Sequence, residues 1–205
     1  MTNVKNKTNE STTNTFSKVI IRGTVKSKLR LTNTLIFTVA TLNGKTGKKD
    51  YPKFIASTNV DELDRAFTVD DRITVEAYLR TTKRYPDNTL TPLSITRERR
   101  RIDAAFAGEN FHMDCNELTL RGKLKRDPVA PNATTTLATL AIDNPNGTPG
   151  QSFVKVVCFN KAAAAMKRKK GGEIVEAIGY VRTKPASELK TEHDHAQSII
   201  LVNLR

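Results

Sequence analysis

The 205-residue chain has no tryptophan, two cysteines and only 6% aromatic residues. Two thiols, Cys115 and Cys158, cannot supply the disulfide framework of a small secreted domain, and no CxxC pair offers a structural zinc site. Cys158 lies inside the apolar run Phe153–Phe159 and reads as a core residue. No apolar stretch approaches the roughly 20 residues of a membrane-spanning helix. The opening Met1-Thr2-Asn3-Val4-Lys5-Asn6-Lys7 lacks the apolar centre of a signal peptide. These absences predict a soluble, cytoplasmic protein in a reducing compartment, with no membrane partner.

Catalytic signatures are missing too. There is no Walker-type glycine loop, no GxSxG and no HExxH. His193-Asp194-His195 could offer two imidazoles from one face of a strand, yet no third ligand is near in sequence, and a flexible hairpin loop is the better reading. His112 stands alone, and acid pairs such as Asp70-Asp71 fall in turns. The expectation is a non-enzyme without metal or cofactor.

What the chain has is positive charge: 34 Lys and Arg against 21 Asp and Glu, a formal net charge of +13. Such a surplus points to a polyanionic partner, of which nucleic acid is the commonest, with a merely solubilising charge as the alternative. Hydrophobic residues, at 38%, suffice for small cores, and the length suits two domains of about 100 residues each.

A repeat divides the chain accordingly. Residues 1–15 are almost wholly polar and read as a disordered arm. After them, Val19-Ile20-Ile21-Arg22-Gly23-Thr24-Val25-Lys26 is matched by Leu118-Thr119-Leu120-Arg121-Gly122-Lys123-Leu124-Lys125, two alternating strands whose glycine suggests a bulge or a sharp coil. Each is followed by a polar loop and a second strand, Leu35–Ala40 and Leu137–Ile142, and then by turn residues, Asn43-Gly44 and Asn144-Pro145-Asn146-Gly147. A third strand opens on an aromatic, Tyr51 or Phe153, and short helices are expected at Val60–Phe67, with Asn59 as N-cap, and at Lys161–Arg168, stopped by Gly171-Gly172. Tyr78-Leu79-Arg80-Thr81 and Tyr180-Val181-Arg182-Thr183 mark the fourth strand, with the same 102-residue offset that separates Tyr51 from Phe153. Last strands fall around Leu90–Ile95 and Ile199–Leu204. This β-β-β-α-β-β order, met twice, predicts an all-β chain of two tandem five-stranded OB-type Greek-key barrels with short helices. The barrels are expected at 16–96 and 116–205, joined by a basic, helical linker over 97–115.

The second copy resembles the bacterial single-stranded-DNA-binding protein family. The resemblance rests on an ordered set: Asn116-Glu117-Leu118-Thr119-Leu120-Arg121-Gly122-Lys123-Leu124-Lys125-Arg126-Asp127-Pro128, Thr139-Leu140-Ala141, Phe153 through Ala163, Lys170-Gly171-Gly172-Glu173-Ile174-Val175, and Gly179-Tyr180-Val181-Arg182-Thr183. The first copy matches more loosely. Two departures stand out: the family stacks bases on tryptophans, of which there are none here, and it often ends in an acidic tail, whereas this sequence stops at Val202-Asn203-Leu204-Arg205. The resemblance implies single-stranded DNA as partner, non-catalytic and largely sequence-independent binding, and a homodimer that gathers four barrels; a two-barrel monomer would also serve. DNA and RNA are not distinguished by residue spacing. An OB-fold RNA binder or replication or conjugation accessory protein, and a protein-interaction scaffold, remain the other readings.

Single-strand binding needs flat side chains for stacking and cations along the phosphates. The stacking candidates are Tyr51, Tyr78, Tyr85, Phe153 and Tyr180, against the alternative of ordinary barrel-core aromatics. Alternation sends Tyr51 with Lys53, and Phe153 with Lys155, to the side opposite Phe54; Phe159 reads more readily as core. The phosphate candidates are Arg22, Lys26, Lys53, Arg80, Lys83 and Arg84 in the first copy, and Arg121, Lys123, Lys155, Arg182 and Lys184 in the second. The run Lys167-Arg168-Lys169-Lys170 reads first as a helix C-terminus complementing the dipole and second as a nucleic-acid contact.

Overall fold

The computed structural model describes residues 14–43, 46–81, 88–98, 114–145, 150–184 and 197–205. The sequence reading of the arm up to residue 13, the linker core 99–113, the segment holding Lys83, Arg84 and Tyr85, and the histidines at 112, 193 and 195 lies outside the described residues.

Period-two alternation dominates the chain, and strands follow from it. The first half contains β1 (Phe16–Leu31), β2 (Thr34–Leu42), β3 (Lys49–Asp50), β4 (Lys53–Ala56), α1 (Val60–Ala66), β5 (Arg72–Arg80) and β6 (Thr89–Arg97). The second contains β7 (Cys115–Leu124), β8 (Val129–Asn132), β9 (Thr135–Asp143), β10 (Gln151–Phe159), α2 (Asn160–Lys167), β11 (Ile174–Thr183) and β12 (Gln197–Leu204). In the first half β1 pairs with both β2 and β5, β2 with β4, and β5 with β6; the circle closes where β4 meets β6 in parallel at Phe54 and Leu90. The second half repeats the circle as β7-β9-β10-β12-β11, closed by the parallel pairs Val156–Ile199, Val157–Ile200 and Cys158–Leu201. Both circuits have the strand order of an OB-type barrel.

Inward-facing residues fill each barrel. In the first, Phe37, Phe54 and Phe67 meet at centroid distances of 4.8 Å and 4.9 Å, the first pair stacked. The second core is aliphatic, with Leu120, Leu140, Val154, Val156 and Ile199 closed off at one end by Ala162, Ala163 and Met166 of α2. The structure thus puts Phe54 in the core but leaves Phe159 exposed at the end of β10, where it precedes the helix.

Several local details differ from the sequence reading. The polar loop expected after residue 26 is instead a continuation of β1 to Leu31, which ends in a tight turn at Thr32-Asn33, while the corresponding part of the second copy breaks off and resumes as β8. Ladder bonds to β2 decide this, because a polar strand of adequate register still satisfies its backbone groups. Gly23 is not a bulge; the bulge falls between Val25 and Ser27. The glycine is required because β2 passes so close that a Cβ there would stand 2.0 Å from the Ala40 carbonyl oxygen. Asn59 does occupy the N-cap position of α1, but it acts through a left-handed backbone (φ 50°) and makes no side-chain capping bond. The linker bounds shift as well, since Arg97 still belongs to β6 and Cys115 already begins β7.

The two barrels share a sheet. Residues Phe16–Arg22 of β1 pair antiparallel with Cys115–Arg121 of β7, in register from Phe16–Arg121 to Arg22–Cys115. Strands β6-β5-β1-β7-β11-β12 therefore run as one continuous six-stranded surface. An approximate two-fold axis through the centre of this ladder relates one barrel to the other. No helix among the described residues is long and apolar enough to cross a membrane.

Two outcomes are expected. Gly23→Ala drives a methyl group into the Ala40 carbonyl, so it should cost about 3 kcal/mol and lower the melting temperature by roughly 6–12 °C, read by thermal denaturation. Burial pushes the Cys158 thiol up from 9.0 to about 12. The unfolded thiol ionises first, so the stability held by this group is complete below pH 9.0 and is lost as pH rises towards about 12. The fall in denaturation midpoint across that window should be shallower in Cys158→Ala than in the parent chain.

Candidate nucleic-acid interface

On the outer side of the first barrel, the register sets Thr24 beside Ala40 on β1 and β2. Thr38 pairs with Lys53, and the Val39 amide donates to the Pro52 carbonyl at 3.1 Å, which brings Tyr51 opposite Ala40. The second barrel repeats the row with Lys123, Ala141 and Phe153 on β7, β9 and β10. Next to it lies a second row in each barrel: Ser27, Thr38 and Lys53 in one, Thr139 and Lys155 in the other. The small alanine gives the neighbouring ring a flat bed, and the outward alternation leaves Tyr51 48% and Phe153 40% exposed. Large apolar rings left open to water beside lysines are what base stacking and phosphate contact require.

Each aromatic is positioned by the opposite barrel. β4 and β10 meet their parallel neighbours only beyond these residues, from Phe54 and Val156 onward, so the preceding amides have no ladder partner on that side. Side chains from across the junction supply acceptors. The Tyr51 amide donates to Thr183 Oγ1 at 2.7 Å, and the Phe153 amide to Thr81 Oγ1 at 2.8 Å. The Lys53 amide donates to Gln197 Oε1 at 2.8 Å, and the Lys155 amide to Asn88 Oδ1 at 3.1 Å. These are the threonines of the repeated Tyr-apolar-Arg-Thr motif, now seen to act on the partner copy.

The junction beneath is polar. Asp50, only 4% exposed, accepts from the Thr183 amide at 2.9 Å and from Asn43 Nδ2 at 3.1 Å. Asn116 clamps β11 by accepting from the Val181 amide at 2.9 Å and donating to its carbonyl at 2.7 Å. At the other end, the Thr15 hydroxyl donates to Asp143 at 2.6 Å; that bond, followed by the one from Gln151, holds the Asp143 carboxyl below its usual range.

The remaining candidates do not gather in one place. Tyr78 and Tyr180 are half-buried on the outer face of the joined six-stranded sheet, opposite Thr91 and Ile200 respectively. Burial pushes the Tyr180 phenol up. Arg80 and Arg182 follow them two residues later on the same side. Arg22 is engaged by Glu98 at 3.0 Å and Thr74 at 3.1 Å, and Lys26 by Asp70 at 3.1 Å. Among the described residues Lys53, Lys123, Lys155 and Arg182 form no ion pair, whereas Lys184 has a partner. Arg121 is half-buried in β7, with its Nε lacking any hydrogen-bond acceptor. The run ending α2 is partly neutralised, Lys169 by Glu173 at 3.3 Å and Lys170 by Asp127 at 3.5 Å. Bonds from the Gly171 amide hold the Asp127 carboxyl below its usual range.

One residue escaped the sequence reading. Lys125 places its ammonium 4.1 Å from the centroid of the Phe153 ring. Alternation with Lys123 was the available signal, since it sends both lysines to the aromatic's side of the sheet.

No protein-family model matches the chain, and no curated protein matches it. Among solved structures, it is similar to the wild-type single-stranded DNA binding protein from Thermus aquaticus, with a TM-score of 0.66 and 15% identity over 94% of this chain and 93% of that one. A deletion mutant of the same Thermus aquaticus protein gives a TM-score of 0.65 and 14% identity, covering 94% of each chain. The likeness is one of fold: two OB-type barrels in one chain.

Thr81→Val removes the acceptor of the Phe153 amide while keeping the side-chain shape. Amide hydrogen exchange at Phe153 should accelerate, and stability should fall by about 1 kcal/mol. An unchanged exchange rate would show that the threonine does not hold the strand.

Proposed function

We propose that this chain binds single-stranded DNA without catalysis and largely without regard to sequence. The observation that carries the reading is the duplicated row, Thr24–Ala40–Tyr51 and Lys123–Ala141–Phe153, each bordered by a lysine, Lys53 or Lys155, that forms no ion pair among the described residues. It occurs on a fold shared with a protein whose structure is described as a single-stranded DNA binding protein.

Bases stack on Tyr51 and Phe153, worth about 1–3 kcal/mol for each base and indifferent to its identity because every base offers a π-face. Lys53, Lys123, Lys155 and Arg182 follow the phosphates and release counterions. Tyr78, Tyr180, Arg80 and Arg121 extend contact over the joined sheet, and Lys184 adds to it, as do Lys83, Arg84 and Tyr85 on the sequence reading; Arg22 and Lys26 contribute after exchanging their carboxylate partners for phosphate. Exposed Phe16 and Leu93, at the joined sheet, suit a second copy of the chain, so the working unit on this reading is a homodimer.

Labelled oligo-dT of several lengths, titrated at three salt concentrations with duplex DNA and an RNA homopolymer as competitors, tests the proposal. The expected result is length-dependent binding that weakens with salt and that duplex does not compete. Tyr51→Ala and Phe153→Ala together should weaken it by at least tenfold, with sizing of the complexes giving the number of chains. Equal competition by RNA would change the substrate class, and absence of binding at low salt would sink the reading in favour of a scaffold.

A further inference from the structure

The two barrels repeat one another closely enough that a single exchanged residue can be followed from one to the other. In the first barrel the Asp70 amide donates to the Val25 carbonyl at 2.9 Å; in the second the Gly172 amide donates to the Leu124 carbonyl at 2.8 Å. Both residues have positive φ, 67° and 89°. They are therefore the same turn position, and the residues that follow the two carbonyls, Lys26 and Lys125, correspond. Where the first barrel has an aspartate, the second has no side chain.

The consequence falls on those two lysines. Lys26, at the β1 bulge, is tied to Asp70 at 3.1 Å. Lys125 finds no carboxylate at Gly172. The nearby acids are engaged elsewhere, Asp127 with Lys170 and the Gly171 amide, and Glu173 with Lys169. Its ammonium lies over Phe153 instead, within the range of a cation–π contact. No cation stands over the Tyr51 ring among the described residues.

We propose that the two stacking surfaces are engaged unequally: Tyr51 is open, whereas Phe153 is capped by Lys125 and accepts a base only when that ammonium swings from the ring to the incoming strand's phosphate. This rests on the single-strand reading above. A strand is captured first on the first barrel, and the second barrel closes on it by exchanging a cation–π contact for an ion pair. Lys125 is thus a positioning residue for the second surface, and the Asp70/Gly172 difference is what sets the order.

The absence of tryptophan makes the test direct, because Tyr51→Trp and Phe153→Trp each introduce a lone indole reporter. In the free protein, adding Lys125→Gln to Phe153→Trp should increase acrylamide quenching of the indole, and adding Lys155→Gln, which removes the same charge nearby, should not. With dT of about eight nucleotides, a length one barrel can occupy, the indole at position 51 should be half-quenched at a strand concentration roughly two- to fivefold lower than that at position 153. Lys125→Gln should narrow that gap and Lys155→Gln should widen it. Equal half-quenching at the two positions, or the same response to both lysine substitutions, would overturn the inference while leaving single-strand binding intact. If neither indole responds to any strand, the binding reading itself fails and the inference with it, whatever acrylamide reports.

Discussion

Everything distinctive about this molecule depends on the antiparallel ladder between Phe16–Arg22 and Cys115–Arg121. Two barrels joined only by a linker would each present an open edge of β1 or β7, with unpaired amides and carbonyls available to other chains. Pairing those edges removes the exposure and converts tandem copies into one body with near two-fold symmetry. The same ladder determines where the fourth strand of each barrel ends. Thr81 arrives under Phe153 and Thr183 under Tyr51, so the start of each third strand is completed from across the junction.

That dependence bears on the proposed binding of single strands. A stacking surface must hold its ring flat and in place before the base arrives, since ordering it afterwards would cost affinity. On the side that faces the junction, the ring-bearing backbone is held by hydroxyl and amide side chains rather than by a ladder. The Thr–Asn–Gln set does this without introducing charge that would compete for phosphates. Asp50, a carboxylate within the junction, is buried among neutral donors, with Ser152 at the matching place in the other barrel.

Symmetry is broken in a few places, each with a local cause. Pro52 has no amide proton, so the third strand of the first barrel is split into β3 and β4 where β10 runs unbroken. The bulge at Val25–Ser27 lets β1 bend into a long hairpin with β2, whereas the second barrel interrupts that path and resumes it as β8. Asp70 and Gly172 share a left-handed backbone, which glycine adopts freely and aspartate tolerates, but only aspartate brings a charge. The first two differences alter shape; the third redirects a lysine.

Sequence alone was sufficient for the repeat, the strand order and the outward direction of Tyr51 and Phe153, because each follows from local alternation and from the offset between copies. It also separated Phe54 from Tyr51, but misjudged Phe159, which the same alternation that sends Phe153 and Lys155 outward turns away from the core. The junction could not be read that way. Nothing in Phe16–Arg22 or Cys115–Arg121 says which edge it will pair with, and nothing in Thr81 or Thr183 says that its hydroxyl serves the other copy. Likewise the ion pair at Asp70, and its absence at Gly172, join residues more than 40 positions apart. Side-chain direction is a property of the strand and is written locally; the partner that a side chain meets is a property of the packed fold, and only tertiary structure brings the two ends of such a contact together.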